Sequence, residues 1–132
     1  MGYEIQYVSA EGMVAIRVFA DIDPEAGRAV TREAIRLVKE NRCQRILCDT
    51  AGMRLSMSVP DLYQIVEQYH TEGMPYGTRI AIVAPQQRTD IEKLEIFGIA
   101  ALNRGYTVRL FGQADQARQW LLHVSPDKSV KI

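Results

Sequence analysis

The chain has 132 residues, enough to bury a core in one domain without disulfide or metal staples. Hydrophobic residues make up 47% of it, and sixteen basic residues balance sixteen acidic ones, so the charge gives no case for nucleic acid or an anionic membrane as partner. Apolar runs such as IAIVA at 80–84 are too short to span a bilayer, and the first residues lack a charged region followed by a signal core, so a cytoplasmic protein is expected.

Residues 3–8 (YEIQYV) alternate, with Tyr3, Ile5 and Tyr7 on one side and Glu4 and Gln6 on the other, as a strand wet on one face requires. Residues 9–12 turn the chain, and 13–19 (MVAIRVF) alternate again, gathering Val14, Ile16 and Val18 opposite Arg17, which predicts a hairpin. Asp23-Pro24 supplies an N-cap acceptor and a first-turn proline for a helix over 24–41. Its inner stripe is Val30, Ala34, Leu37 and Val38, with Arg28, Arg32, Arg36 and Lys39 facing water.

A third strand over 45–49 ends in Asp49 and a polar, flexible loop. Ser58 with Asp61 three residues on approximates a capping box for a second helix, whose inner face is Leu62, Ile65, Val66 and Tyr69 and whose stop is Gly73. A fourth strand over 78–84 is closed by Pro85. A third helix from Thr89 or Asp90 ends before Gly105, a fifth strand covers 106–111, and a last helix over 114–123 presents Ala117, Trp120 and Leu121. The remainder, 124–132, reads as a loose tail.

The resulting order, ββαβαβαβα, predicts a single α/β domain over 1–132 with a mixed five-stranded sheet, parallel after its first strand. Glu4, Gln6, Arg17, Arg79, Thr107 and Arg109 fall opposite the apolar positions of their strands, so the helices are expected mainly on one face. Arg17, Arg79 and Arg109 among Ala15, Leu47, Ala81 and Val83 on the other face suggest a homodimer surface.

The carboxyl ends of parallel strands are where an open sheet meets ligands and partners. Asp49, Thr50, Arg54, Ser56 and Ser58 lie in that zone. Asp21, Asp23 and Asp49 could gather at strand ends around a metal, as acids do in a receiver domain, which leaves a metal-dependent enzyme as the least favoured alternative: Asp23 is accounted for as a cap, and the lysine a receiver needs after its last strand is replaced by Gly112 and Gln113. His70 and His123 are solitary and read as surface residues. Cys43 and Cys48 match neither C-x-x-C nor a zinc site, and read as reduced and structural. The G-x-S-x-G, H-E-x-x-H, G-x-x-x-x-G-K-[ST] and G-x-G-x-x-G signatures are absent, so no enzyme, metal or cofactor is expected.

Taken together, IRVFA before a capped helix, RILCDTAG after it, TRIAIVAP, NRGYTVRLF and the closing A-x-x-W-L resemble the SpoIIAA-like superfamily, which includes STAS domains. The closer similarity is to its small single-domain bacterial members, described as STAS-like and related in fold to CRAL-TRIO lipid carriers. The resemblance covers about residues 3–123 and implies a regulatory or protein-interaction module, or a carrier of a hydrophobic ligand, rather than catalysis. In sporulation-type STAS proteins a serine at the start of the helix after this strand is phosphorylated. Ser58 stands nearest that place, with Ser56 beside it, although S-M-S-V-P-D replaces the usual D-S-S-G.

The third helix is apolar around much of its circumference. With Leu94, Phe97, Ala101 and Leu102 turned to the sheet, Ile96, Ile99 and Ala100 require cover from the second helix, through Leu62, Val66 and Tyr69, and from Met53, Met57 and Met74 in the flanking loops. A cleft between these two helices, opening near 49–58, is expected to take a hydrophobic molecule or a partner's side chains.

Overall fold

A computed structural model describes residues 2–123, so the tail expected at 124–132 lies outside the described residues. Strand β1 (Tyr3–Val8) pairs antiparallel with β2 (Met13–Val18), and β2 is followed by a two-residue strand β3 (Asp21–Ile22). Helix α1 (Pro24–Asn41) leads to β4 (Arg45–Asp49), then a second short strand β5 (Arg54–Leu55) and helix α2 (Val59–Thr71). The chain continues through β6 (Arg79–Val83), α3 (Arg88–Leu102), β7 (Thr107–Phe111) and α4 (Ala114–His123). The main sheet has the order β1-β2-β4-β6-β7, parallel from β2 onward, and β3 and β5 pair parallel in a separate ribbon.

Helix ends follow the local chemistry. Asp23 accepts from the Ala26 N–H at 2.8 Å and Pro24 opens α1. That helix closes on Arg42 in the left-handed conformation, with φ of 52°, a position usually given to glycine. Ser58 and Asp61 form the reciprocal capping box of α2, and Gly73, with φ of 80°, follows its end.

Strand register divides the side chains between two faces. Val14, Ile46, Ile80 and Val108 form one row and Ile16, Cys48, Ile82 and Leu110 another, and both rows pack beneath α1, α2 and α3 in the main core. In α1 the buried set includes Gly27, Thr31 and Ile35 as well as Val30, Ala34 and Val38, while Leu37 is half-buried.

Helix α4 takes the other face. Its Ala117 and Leu121 bury Met13, Leu47, Ala81 and Val83 in a second, smaller cluster, so every residue of β6 is buried. This corrects the reading of Leu47, Ala81, Val83 and Arg79 as an open homodimer surface: α4 is itself amphipathic and satisfies those side chains within the chain. Arg79 is folded under α4, where its Nη2 donates to the Leu121 carbonyl at 3.1 Å. What stays open on that face is polar, with Glu4, Gln6 and Arg17 exposed on β1 and β2 and Thr107 and Arg109 exposed on β7. Among the described residues no helix is long and apolar enough to cross a membrane.

Candidate functional site

The residues after β4 alternate strictly. Met53, Leu55 and Met57 are buried, whereas Arg54, Ser56 and Ser58 are exposed. The segment is a strand in its central part because β3 is there to pair with it: Asp21 stands opposite Arg54 and Ile22 opposite Leu55, and the Ser56 N–H donates to the Ile22 carbonyl at 2.9 Å. The β3–β5 ribbon thus continues beyond the carboxyl ends of β2 and β4, and it turns Ile22, Met53, Leu55 and Met57 inward.

Beneath it lies a cavity of about 120 Å3 between the sheet and helices α1, α2 and α3. Ile16, Ile46, Ile80 and Ile82 from the sheet, Val30 and Ala34 from α1, Leu62, Ile65 and Tyr69 from α2, and Leu94 and Phe97 from α3 line it, together with the four ribbon residues. The lining residues with polar side-chain atoms are Thr31, Cys48, Thr50 and Tyr69. Thr50 spends its hydroxyl on the Val83 carbonyl at 2.6 Å. Burial, with Asp49 adding repulsion, pushes the Cys48 thiol up to about 12, and burial with Cys48 and Tyr106 nearby raises Tyr69 above the ordinary phenol range. A thiol so shifted has almost no thiolate at neutral pH, so it makes a poor nucleophile.

The ribbon is clasped to α3. Arg54 Nε donates to Asp90 Oδ2 at 3.1 Å, and the same oxygen accepts from the Leu55 N–H at 3.2 Å. Lys93 Nζ reaches the Met57 carbonyl at 2.9 Å. Asp90, expected near the start of α3 as part of its opening, is buried and holds this junction instead, while Gln87 at the N-cap makes no side-chain capping bond.

The five polar residues singled out in the sequence do not converge on a reaction centre. Asp49 accepts from the Ala51 N–H at 3.0 Å, Thr50 is buried, Arg54 serves the clasp, and Ser58 accepts from the Asp61 N–H at 3.2 Å as a helix cap. Arg54, Ser56 and Ser58 do share the outer side of one segment. Among the described residues no group of three or more acids, histidines and cysteines could hold a metal ion, so Asp21, Asp23 and Asp49 do not gather. His70 is exposed and its Nδ1 pairs with the Tyr76 hydroxyl at 2.9 Å.

Of the residues assigned to a cleft between α2 and α3, Met53, Met57, Leu62 and Tyr69 line the cavity. Val66 and Met74 are buried elsewhere in the same core, and Ala100 is half-buried against it. Ile96 and Ile99 are exposed, at 38% and 65%, as is Leu102 at 63%. The inner stripe of α3 is Asp90, Leu94, Phe97 and Ala101, and helical geometry carries Ile96, Ile99 and Leu102 away from it. The α1 wall, with Gly27, Val30, Thr31 and Ala34, was not foreseen. Gly27 was its sequence signal: a Cβ there would stand 3.0 Å from the Met57 sulfur, so the bare backbone makes room for the ribbon's methionine.

No protein-family model matches the chain, and no curated protein matches it in sequence. Among solved structures, it is similar to a crystal structure at 2.25 Å of an uncharacterized protein of the DUF3478 family with a SpoIIAA-like fold from Shewanella loihica PV-4. The two share 15% identity with a TM-score of 0.55, over 90% of this chain and 91% of the other.

Proposed function

Given that the chain has a SpoIIAA-like fold, we propose that it is a non-catalytic binding module whose ligand is a small apolar molecule held under the β3–β5 ribbon. The observation that carries this reading is the cavity of about 120 Å3 with an almost wholly apolar lining. A close-packed core leaves few voids larger than a water molecule, and an apolar void of about 150 Å3 binds benzene in another protein. The space here suits a single aromatic ring or a short aliphatic chain. A longer chain requires the ribbon to lift. The absence, among the described residues, of a convergent acid, base or nucleophile supports binding over turnover, and the free thiols of Cys43 and Cys48 suit the cytoplasm.

A second reading, a protein-interaction module, draws on Arg54, Ser56 and Ser58 standing exposed along one outer edge. Native mass spectrometry of freshly purified protein separates the two. Co-purified small molecules, or saturable benzene or indole binding by NMR, support the cavity. If every core methyl resonance is unmoved by millimolar benzene and indole, the cavity is ordinary packing and the outer edge becomes the better reading.

A further inference from the structure

A second, polar pocket of about 280 Å3 lies at the amino-terminal ends of β4 and β6, the end of the sheet remote from the ribbon. Arg42, Arg45 and Arg79 are in its wall, and among the described residues no aspartate or glutamate lines it. Arg45 and Arg79 are register partners on neighbouring strands, so their side chains leave the same face of the sheet. Among the described residues none of the three arginines forms an ion pair. Glu11, whose carbonyl meets Arg45 Nη1 at 3.4 Å, gives its carboxylate to Arg118.

Arg79 is the unusual member. It is only 7% exposed, with its guanidinium 5.6 Å over the Trp120 ring and Nη2 on the Leu121 carbonyl, yet among the described residues Nη1 is enclosed without an acceptor. Burial and then the charge of Arg45 hold its pKa below the ordinary arginine value. Two cations placed to repel one another, one of them largely removed from water, are unfavourable unless an anion joins them. Arg42 adds a third cation from a left-handed cap where glycine would avoid the conformational cost.

We propose that Arg42, Arg45 and Arg79 form a binding site for a phosphate group, either inorganic phosphate or the phosphate of a small monoester. Guanidinium forks match the spacing of phosphate oxygens. A phosphate near its dianionic form offsets two of the three charges, where a carboxylate offsets one. Arg45 and Arg42, half-buried and exposed, reach the ligand from the pocket mouth, and Arg79 supplies charge from the floor. The site is separate from the apolar cavity and stands or falls without it.

The test is titration of the full chain with inorganic phosphate, and in a second arm with glycerol phosphate, each against chloride at equal ionic strength. Calorimetry is expected to show one saturable site, and Tm to rise with either phosphate. Tighter binding of the ester identifies a monoester ligand, and equal binding identifies free phosphate. Arg45→Gln is expected to weaken binding at least tenfold while leaving Tm in phosphate-free buffer unchanged or raised, because the variant removes a repulsion. Arg42→Gln, at an exposed position, repeats the measurement without touching the sheet. The proposal is overturned if phosphate and chloride act alike on the wild-type chain, or if the Arg42→Gln, Arg45→Gln double variant binds phosphate as the wild type does.

Discussion

Arg54 and Asp90 are 36 positions apart in the chain and meet at 3.1 Å, one more than half exposed and the other almost wholly enclosed. That asymmetry decides what each is worth. The exposed arginine side chain can be solvated when its partner is lost, so Arg54→Ala is expected to cost under about 1 kcal/mol. Asp90→Ala strips the acceptor from the buried Leu55 N–H as well, and is expected to cost about 1–3 kcal/mol. Urea denaturation of the two variants side by side checks the order.

Cys48 reports on the same junction. Its thiol lines the cavity and its pKa is pushed up to about 12, so alkylation at pH 8 is expected to be far slower in the native chain than in urea. In a Cys43→Ser background, Asp90→Asn should speed labelling of Cys48 if the clasp holds the ribbon closed. Equal rates in the two chains would show that Cys48 is reached by another route.

Two substitutions probe the cavity from opposite directions. Phe97→Ala removes a ring packed edge-on to Tyr69 at 6.1 Å and is expected to cost about 3–5 kcal/mol while enlarging the cavity. Gly27→Ala places a methyl against the flexible end of Met57. The helix gains about 1 kcal/mol in propensity, the methionine moves into the void, and stability is expected to stay within about 1 kcal/mol of wild type while benzene binding weakens. Thermal denaturation and NMR titration measure both effects.

The capping box gives a pH dependence of defined sign. Hydrogen bonds from the Ser58 backbone, then its side chain, hold the Asp61 carboxyl below its ordinary value. A group depressed on folding adds stability above its unfolded pKa, and that contribution is lost as pH falls through the folded value. Asp61→Asn is therefore expected to flatten the acid limb of the stability curve below about pH 4, as followed by circular dichroism. Ser58→Ala is expected to cost about 1 kcal/mol at neutral pH.

The main elements were legible because their signals are local. Alternation located the hairpin, Asp23-Pro24 and Ser58 located helix starts, and the joint order of the strand motifs pointed to the SpoIIAA-like fold that the structural comparison bears out. Residues 53–58 carried a clear period of two, M-R-L-S-M-S, but were read as loop. Their partner β3 lies more than 30 positions away, beyond the reach of a local pattern. The third helix misled in another way: apolar residues at Ile99 and Leu102 do not demand a covering surface, since soluble proteins expose much apolar area. The side of the sheet taken by α4 is a matter of chain path, and it decided the fate of Arg79.

The strands of the main sheet are neighbours in the same order in which they occur along the chain. As the polypeptide leaves the ribosome, each new strand finds the edge it needs already formed, and no strand has to be inserted between two others. The ribbon and the second face depart from this sequence. Strand β3 must wait for β5, and Leu47, Ala81 and Val83 remain uncovered until α4 has been synthesised. A nascent chain stalled before residue 114 therefore presents an apolar strip across the middle of its sheet.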